Sequence, residues 1–209
     1  MNELMEIDWF QVKKLFANHN YRFFERPNSL NIFGIRNESK EADKFDDLIG
    51  LAWTQKDADG DLQKCARVFW GTLDSGAYYL QNPMDPGGAA GIVENQYLGV
   101  WQLGKFLGKE ALIQIAPFKV YRVYPPGKTL DYSPKRTTSG LYGIFEHEHY
   151  QNQKIAQHVQ KSSAGCVVPQ DRDDHKYLID KCLRQIYAGL GNKFTFTVFT
   201  QKQAEAILI

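Results

Sequence analysis

LIGLAWTQKDADGDLQKCARVFWGTL, residues 48–73, decides the fold class. Two runs rich in branched and aromatic residues flank DADGD (57–61). Asp-Gly between apolar runs is hairpin chemistry, because glycine takes positive φ freely and the Asp side chain caps the turn. LIGLAWTQ (48–55) and CARVFWGTL (65–73) are therefore predicted to pair as a hairpin. Working outward, LNIFGIR (30–36) precedes it as a strand, and YLGVWQLGKF (97–106), ALIQIA (111–116) and FKVYRVY (118–124) follow. LYGIFEHEH (141–149) reads as one more strand, and the alternating KFTFTVFTQ (193–201) as the last. SGAYYLQNPMDPGGAAG (75–91) is crowded with Gly and Pro and is predicted to be loop-rich, with PPGK (125–128) a turn.

Two helices bracket these strands. Asp8 is a good N-cap, and Trp9, Val12, Leu15 and Phe16 recur at helical spacing, which predicts a helix over 8–18. Near the other end, Asp171 or Asp173 opens a helix through HKYLIDKCLRQIYAGL (175–190), stopped by Gly189 or Gly191. Strands and helices do not alternate along the chain, which argues against a doubly wound parallel sheet. The expectation is a mostly β, α+β fold, with 1–29 a helical extension and 30–209 the main domain.

Hydrophobic residues make up 43% and charged residues 23%, which places the chain among globular proteins. The 25 basic and 24 acidic residues nearly cancel, and without a basic stripe nucleic acid is a poor partner. No apolar run approaches the roughly 20 residues of a membrane span. Glu3, Glu6 and Asp8 interrupt any secretory signal, so the expectation is synthesis in the cytoplasm without a signal peptide. Three widely spaced cysteines, Cys65, Cys166 and Cys182, fit free thiols there. Oligomeric state is not legible.

Reactive side chains gather in HEHYQNQKIAQHVQKSSAGC (147–166). On a regular strand, Gly143, Phe145, His147 and His149 share one face, and Ile144, Glu146 and Glu148 the other. Cys166 ends the small-residue run Ser162-Ser163-Ala164-Gly165, where a substrate backbone can approach and consecutive N–H groups can converge on an oxyanion. An imidazole within reach of a thiol can lower its pKa, which is why acyl-transfer sites combine the two. Cys65 on a strand and Cys182 on a helix core face read as small buried hydrophobes.

The spacing resembles a known family. From His147, fifteen residues precede Ser163-Ala164-Gly165-Cys166, with apolar Val167 following. The L,D-transpeptidase (YkuD-like) catalytic domain carries a histidine, a gap of this size, then Ser/Thr-His-Gly-Cys. Counted from His149 the gap of thirteen falls outside the family window. GTLDSGAYYLQNPMDPGGAAG (71–91) resembles a degenerate form of the family's upstream stretch. NIFGIRN (31–37), YYLQNPMDPGGAA (78–90), GIFEHEH (143–149) and KSSAGCVV (161–168) are similar to segments of divergent phage and prophage proteins.

The resemblance implies an L,D-transpeptidase-like β-sandwich with a helix after the cysteine, 30–209 being the catalytic domain. It implies Cys166 as nucleophile and His147 as base, with backbone N–H groups around Ala164, Gly165 and Cys166 as oxyanion hole. Ser163, His149 and Tyr97 are candidate substrate contacts. The substrate would be a peptidoglycan stem peptide, cross-linked or cut through a thioester with no cofactor or metal, at the cell wall after phage-type release or specialised secretion. The chain departs from the family at Ala164, Glu148 and Val168, the last replacing an Asn or Arg tied to substrate carboxylate recognition. A non-catalytic binding or structural protein that keeps the fold is one alternative. A zinc peptidase using the His147/His149 pair, with Cys166 or His158 completing the set, is another. Papain-like order, Cys before His, would have only His175 downstream. Asp74-Ser75-Gly76, Tyr78, Tyr79 and Trp101 are candidate groove residues, and Arg36-Asn37 a candidate carboxylate pair.

Overall fold

The computed structural model describes residues 1–39, 41–123, 129–130, 132 and 136–208. The hairpin forms as the sequence indicates: β2 (Asp47–Lys56) pairs antiparallel with β3 (Leu62–Thr72), Lys56 opposite Leu62. At the turn, Gly60 takes φ +89° and Asp57 Oδ1 accepts from the N–H groups of Asp59 and Asp61. On its other side β2 pairs with β1 (Leu30–Arg36), which runs parallel to β10 (Phe194–Thr200). The antiparallel pair β5 (Gln96–Phe106) and β6 (Lys109–Gln114) continues the sheet beyond β10. β9 (Val168–Pro169) adds to β3, so the seven strands run β6-β5-β10-β1-β2-β3-β9. A three-stranded sheet orders β4 (Ala89–Ile92), β7 (Phe118–Val123) and β8 (Thr137–Gly140) as β4-β7-β8. This is a mostly β, α+β fold. The PPGK turn and the Tyr124 end of the predicted strand 118–124 lie outside the described residues.

Both faces of the large sheet are covered, which explains why every residue of β1 is buried. On one face α1 (Trp9–Asn18) lays Trp9, Val12, Leu15 and Phe16 against Phe33, Ile35, Leu48 and Phe199. Phe16 meets Phe33 and Phe199 edge-on, and each buried ring contributes about 2 kcal/mol by removal from water. Asp8 caps α1 in a reciprocal box with Gln11. The opposite face packs Ile32, Leu51, Phe69, Trp101 and Phe196 with Leu178, Ile179 and Cys182 of α3 (Arg172–Tyr187) and with Ile92 and Val120 of the small sheet. Asp171 caps α3, and Gly189 follows it at φ +73°. Among the described residues no helix is long and apolar enough to cross a membrane.

One reading is corrected. Residues 141–149 do not form a strand: Gly143 takes φ +71°, and the segment touches its neighbours through an isolated bridge at Glu146. Within the loop-rich stretch 75–91 stand α2 (Ala77–Gln81) and the start of β4. A last short helix, α4 (Gln201–Glu205), is capped by Thr200.

Candidate active site

The large sheet curls until its two ends meet, and they meet at one residue. Glu146 exchanges both backbone hydrogen bonds with Leu112 of β6, at 2.9 and 3.1 Å. On its other side, Val167 N–H donates to the Phe145 carbonyl at 2.9 Å and His147 N–H to the Val167 carbonyl at 3.2 Å. Val167 leads directly into β9. This seam aligns Glu146 with Val167 in parallel register, and both side chains are fully buried. Side chains one step along each segment therefore share the opposite face. Phe145, His147 and Cys166 all line a cavity of about 470 Å³ there, beside Tyr150, Arg122 and Phe106.

The loop before Cys166 is held from below. Ser75 bridges Ala164, and Gly76 N–H donates to the Ser163 carbonyl at 2.9 Å. Ser163 Oγ donates to the Cys166 carbonyl at 2.8 Å and accepts from Gly165 N–H at 3.0 Å. Gly165 takes φ +116°, and a Cβ there would stand 2.8 Å from the Ala90 carbonyl oxygen. Only glycine combines that backbone with that approach. Among the described residues the N–H groups of Ala164 and Cys166 have no partner.

His147 is 3% exposed and held on three sides. Nδ1 lies 2.7 Å from the Glu148 carbonyl oxygen. A carbonyl can only accept, so Nδ1 carries the proton and Nε2 presents a lone pair. The Tyr150 ring stacks on the imidazole at 5.2 Å and 12°, and Phe106 lies against it at 5.1 Å. Cys166 is partly exposed; its Sγ accepts from Phe145 N–H and donates to the Gly143 carbonyl, both at 3.5 Å.

Burial sets the resting protonation of both groups. It pushes the Cys166 thiol up to about 11, against the weaker opposite pull of the Phe145 N–H. It holds His147 down to about 4, outweighing the Glu148 carbonyl. Near neutrality Cys166 is thus an uncharged thiol and His147 an uncharged imidazole. Among the described residues no hydrogen bond joins the two side chains, whose Sγ and Nδ1 engage the Gly143 and Glu148 carbonyls, so the thiolate–imidazolium pair that sequence chemistry suggested is not formed. An uncharged imidazole is able to accept a proton.

The remaining candidates separate. Ala164 lines the cavity, whereas His149 is fully buried with Nε2 3.0 Å from the Lys154 carbonyl oxygen, outside the cavity lining. Ser163 is buried in the loop. Tyr97 belongs to the core, its hydroxyl donating to the Val93 and Lys119 carbonyls at 2.7 and 3.0 Å. Trp101 is also core, and Tyr79 lines the cavity. Arg36 is not free for a ligand carboxylate: it is buried against Asp74 at 3.0 Å and against Glu94, while Tyr132 donates to Asp74. His158 lies 3.8 Å from Asp43, and among the described residues no three His, Cys, Asp or Glu side chains are grouped to hold a metal ion.

Phe106, Arg122 and Tyr150 were not anticipated. Tyr150 adjoins the HEH run and was the accessible signal; Phe106 and Arg122 sit on distant strands whose local patterns are ordinary. Comparison of the chain with family models, with curated proteins and with solved structures found no match.

Proposed function

We propose that the protein is a Cys/His acyl-transfer enzyme acting on peptidoglycan stem peptides through a thioester, of L,D-transpeptidase or L,D-carboxypeptidase/endopeptidase type. The observation that carries this reading is the seam: His147 and Cys166 lie on hydrogen-bonded neighbouring segments and face one cavity, with the imidazole tautomer fixed by Glu148. The substrate class and a divergent L,D-transpeptidase-like sandwich rest on the HEH…SAGC resemblance, as does action at the cell wall after phage-type release or specialised secretion.

In this mechanism Cys166 Sγ attacks the scissile carbonyl carbon while its proton passes to His147 Nε2. The N–H groups of Ala164 and Cys166 are the unpartnered donors for the oxyanion, since that of Gly165 is engaged by Ser163. As the tetrahedral intermediate collapses, the C–N bond breaks and His147 gives its proton to the departing amine. An amine or water then attacks the thioester, His147 takes the proton of that nucleophile, and Cys166 leaves as a thiol.

Mass spectrometry of muropeptides incubated with the protein tests this. Cross-linked, exchanged or trimmed products should form with the native chain and vanish with Cys166→Ala and with His147→Gln. Unchanged muropeptides with the native chain would overturn the assignment. The raised thiol favours one second reading, a binding protein that has kept the fold. That reading requires stem-peptide binding with no product and no acyl adduct on Cys166.

A further inference from the structure

The cavity that Cys166 lines also carries a buried cation. Arg122 of β7 is 6% exposed and lines the cavity. Its Nε donates to Thr138 Oγ1 at 3.0 Å, its Nη1 to the Gly88 carbonyl at 3.2 Å, and its Nη2 pairs with Asp85 Oδ2 at 3.0 Å. Tyr142 lies under the guanidinium at 4.5 Å. Among the described residues two hydrogen bonds and one ion pair engage a group with five N–H donors, so it has donors left for a ligand. Rigid support from neutral groups and an aromatic face is how a protein fixes arginine for planar recognition of a carboxylate.

The charged partner is the exchangeable part. The Asp85 side chain is 46% exposed, against 7% for that of Arg122. Asp85 stands in the loop between α2 and β4, where its other oxygen accepts from Gly87 N–H at 2.7 Å. A half-exposed carboxylate can return to water at small cost, whereas the buried guanidinium cannot lose its anion without replacement. Lys161, over the Tyr78 ring at 4.3 Å, also lines the cavity, which leaves one net positive charge among its charged side chains.

The register places this cation relative to the thiol. Arg122 pairs with Ala90 of β4, and Ala90 is the residue that Gly165 packs against. One strand thus separates Arg122 from the cysteine loop, so the two are about two interstrand spacings apart, on the order of 10 Å. An extended peptide covers that distance in two to three residues.

We propose that Arg122 is the specificity-determining anchor of the cavity, taking a substrate carboxylate within a residue or two of the scissile carbonyl in exchange for Asp85. This rests on the acyl-transfer reading for the position of the scissile bond. Two carboxylates of a stem peptide satisfy the chemistry: the terminal one of the departing residue and the one on a diamino-acid side chain.

Calorimetric binding to the Cys166→Ala protein tests the anchor independently of turnover. The probes are a stem tetrapeptide containing diaminopimelate with a free C-terminus, its C-terminal amide, and the lysine counterpart without the side-chain carboxylate. Arg122→Gln should weaken binding of the first probe at least tenfold, the loss expected for a charge-assisted contact. Whichever of the other two probes lacks the recognised carboxylate should bind weakly to begin with and be insensitive to Arg122→Gln, which identifies the source. Asp85→Asn keeps an oxygen for Gly87 but removes the competing charge, so it should tighten the first probe several-fold. Equal binding of all three probes to the parent protein, or an Asp85→Asn protein that binds the first no better than the parent, would overturn the anchor. Binding that follows these rules while native protein leaves muropeptides unchanged would sink the enzyme reading and leave the anchor standing.

Discussion

Glu146 and His175 meet at 2.8 Å in the interior, and the glutamate has no exposed surface. The pair pins the seam from behind: Glu146 is the residue joining β6 to the cysteine strand, and His175 belongs to the first turn of α3. His175 Nε2 also lies 3.1 Å from the Glu110 carbonyl oxygen, while Glu146 Oε2 has no hydrogen-bond partner among the described residues. Removing one member leaves the other buried without its counter-charge, so Glu146→Ala should destabilise by about 3 kcal/mol or more in denaturant titration. The Glu146 carboxylate holds His175 above the ordinary imidazole range, despite burial. Stability from this pair is therefore complete below about 6.5 and is lost as pH rises through the raised value; in Glu146→Gln that loss on the alkaline side should disappear.

His147 produces the opposite slope in a different window. Its folded value of about 4 lies below the unfolded imidazole, so the unfolded chain binds the extra proton between about 4 and 6.5. Stability should fall as pH drops across that window, by up to roughly 3 kcal/mol from this group. Thermal melts of the native protein and of His147→Gln at pH 6.5 and 4.5 check this: the variant should lose less.

Alkylation of Cys166 should track thiolate formation on a thiol near 11. Site-resolved mass spectrometry with iodoacetamide should show the rate at Cys166 rising about tenfold per pH unit between 6 and 9. Turnover by a neutral thiol–imidazole pair should instead stay level across the same interval, because both groups keep their resting forms between about 4 and about 11. Fast labelling that is already independent of pH at 6 would mean a resting ion pair and contradict the electrostatics of the cavity.

Gly165→Ala should cost about 2 kcal/mol or more, combining left-handed strain with the clash against the Ala90 backbone. Because the loop carries Cys166, activity should fall further than stability accounts for, measured at a temperature where the variant is fully folded.

The parts of the fold that were legible carried their own local chemistry. DADGD announced the β2–β3 hairpin, Asp8 marked the start of α1, and of the two candidates for the start of α3, Asp171 and Asp173, it is Asp171 that caps. β9 and β4 were not legible, since two and four residues of small or apolar type carry no periodic signal. Residues 141–149 alternate convincingly, yet their hydrogen bonds go to Leu112 and Val167, far apart in sequence, and Gly143 turns the chain before a ladder can form. At the site, Cys166 and His147 stood out by residue type and spacing. The groups that set their environment did not: Phe106 and Arg122 look like ordinary strand residues until the curled sheet brings them round, and His175 reads only as a helix residue until Glu146 is seen behind it.

A sheet that closes on itself through Glu146 leaves neither β6 nor β9 as a bare edge along that stretch. Unpaired strand edges are where proteins recruit copies of themselves into aggregates. A chain that lost the bridges at Glu146 would leave the Leu112 side of β6 and the Val167 end of β9 without these partners, so an aggregation assay of a seam variant reads out whether the closure also limits self-association.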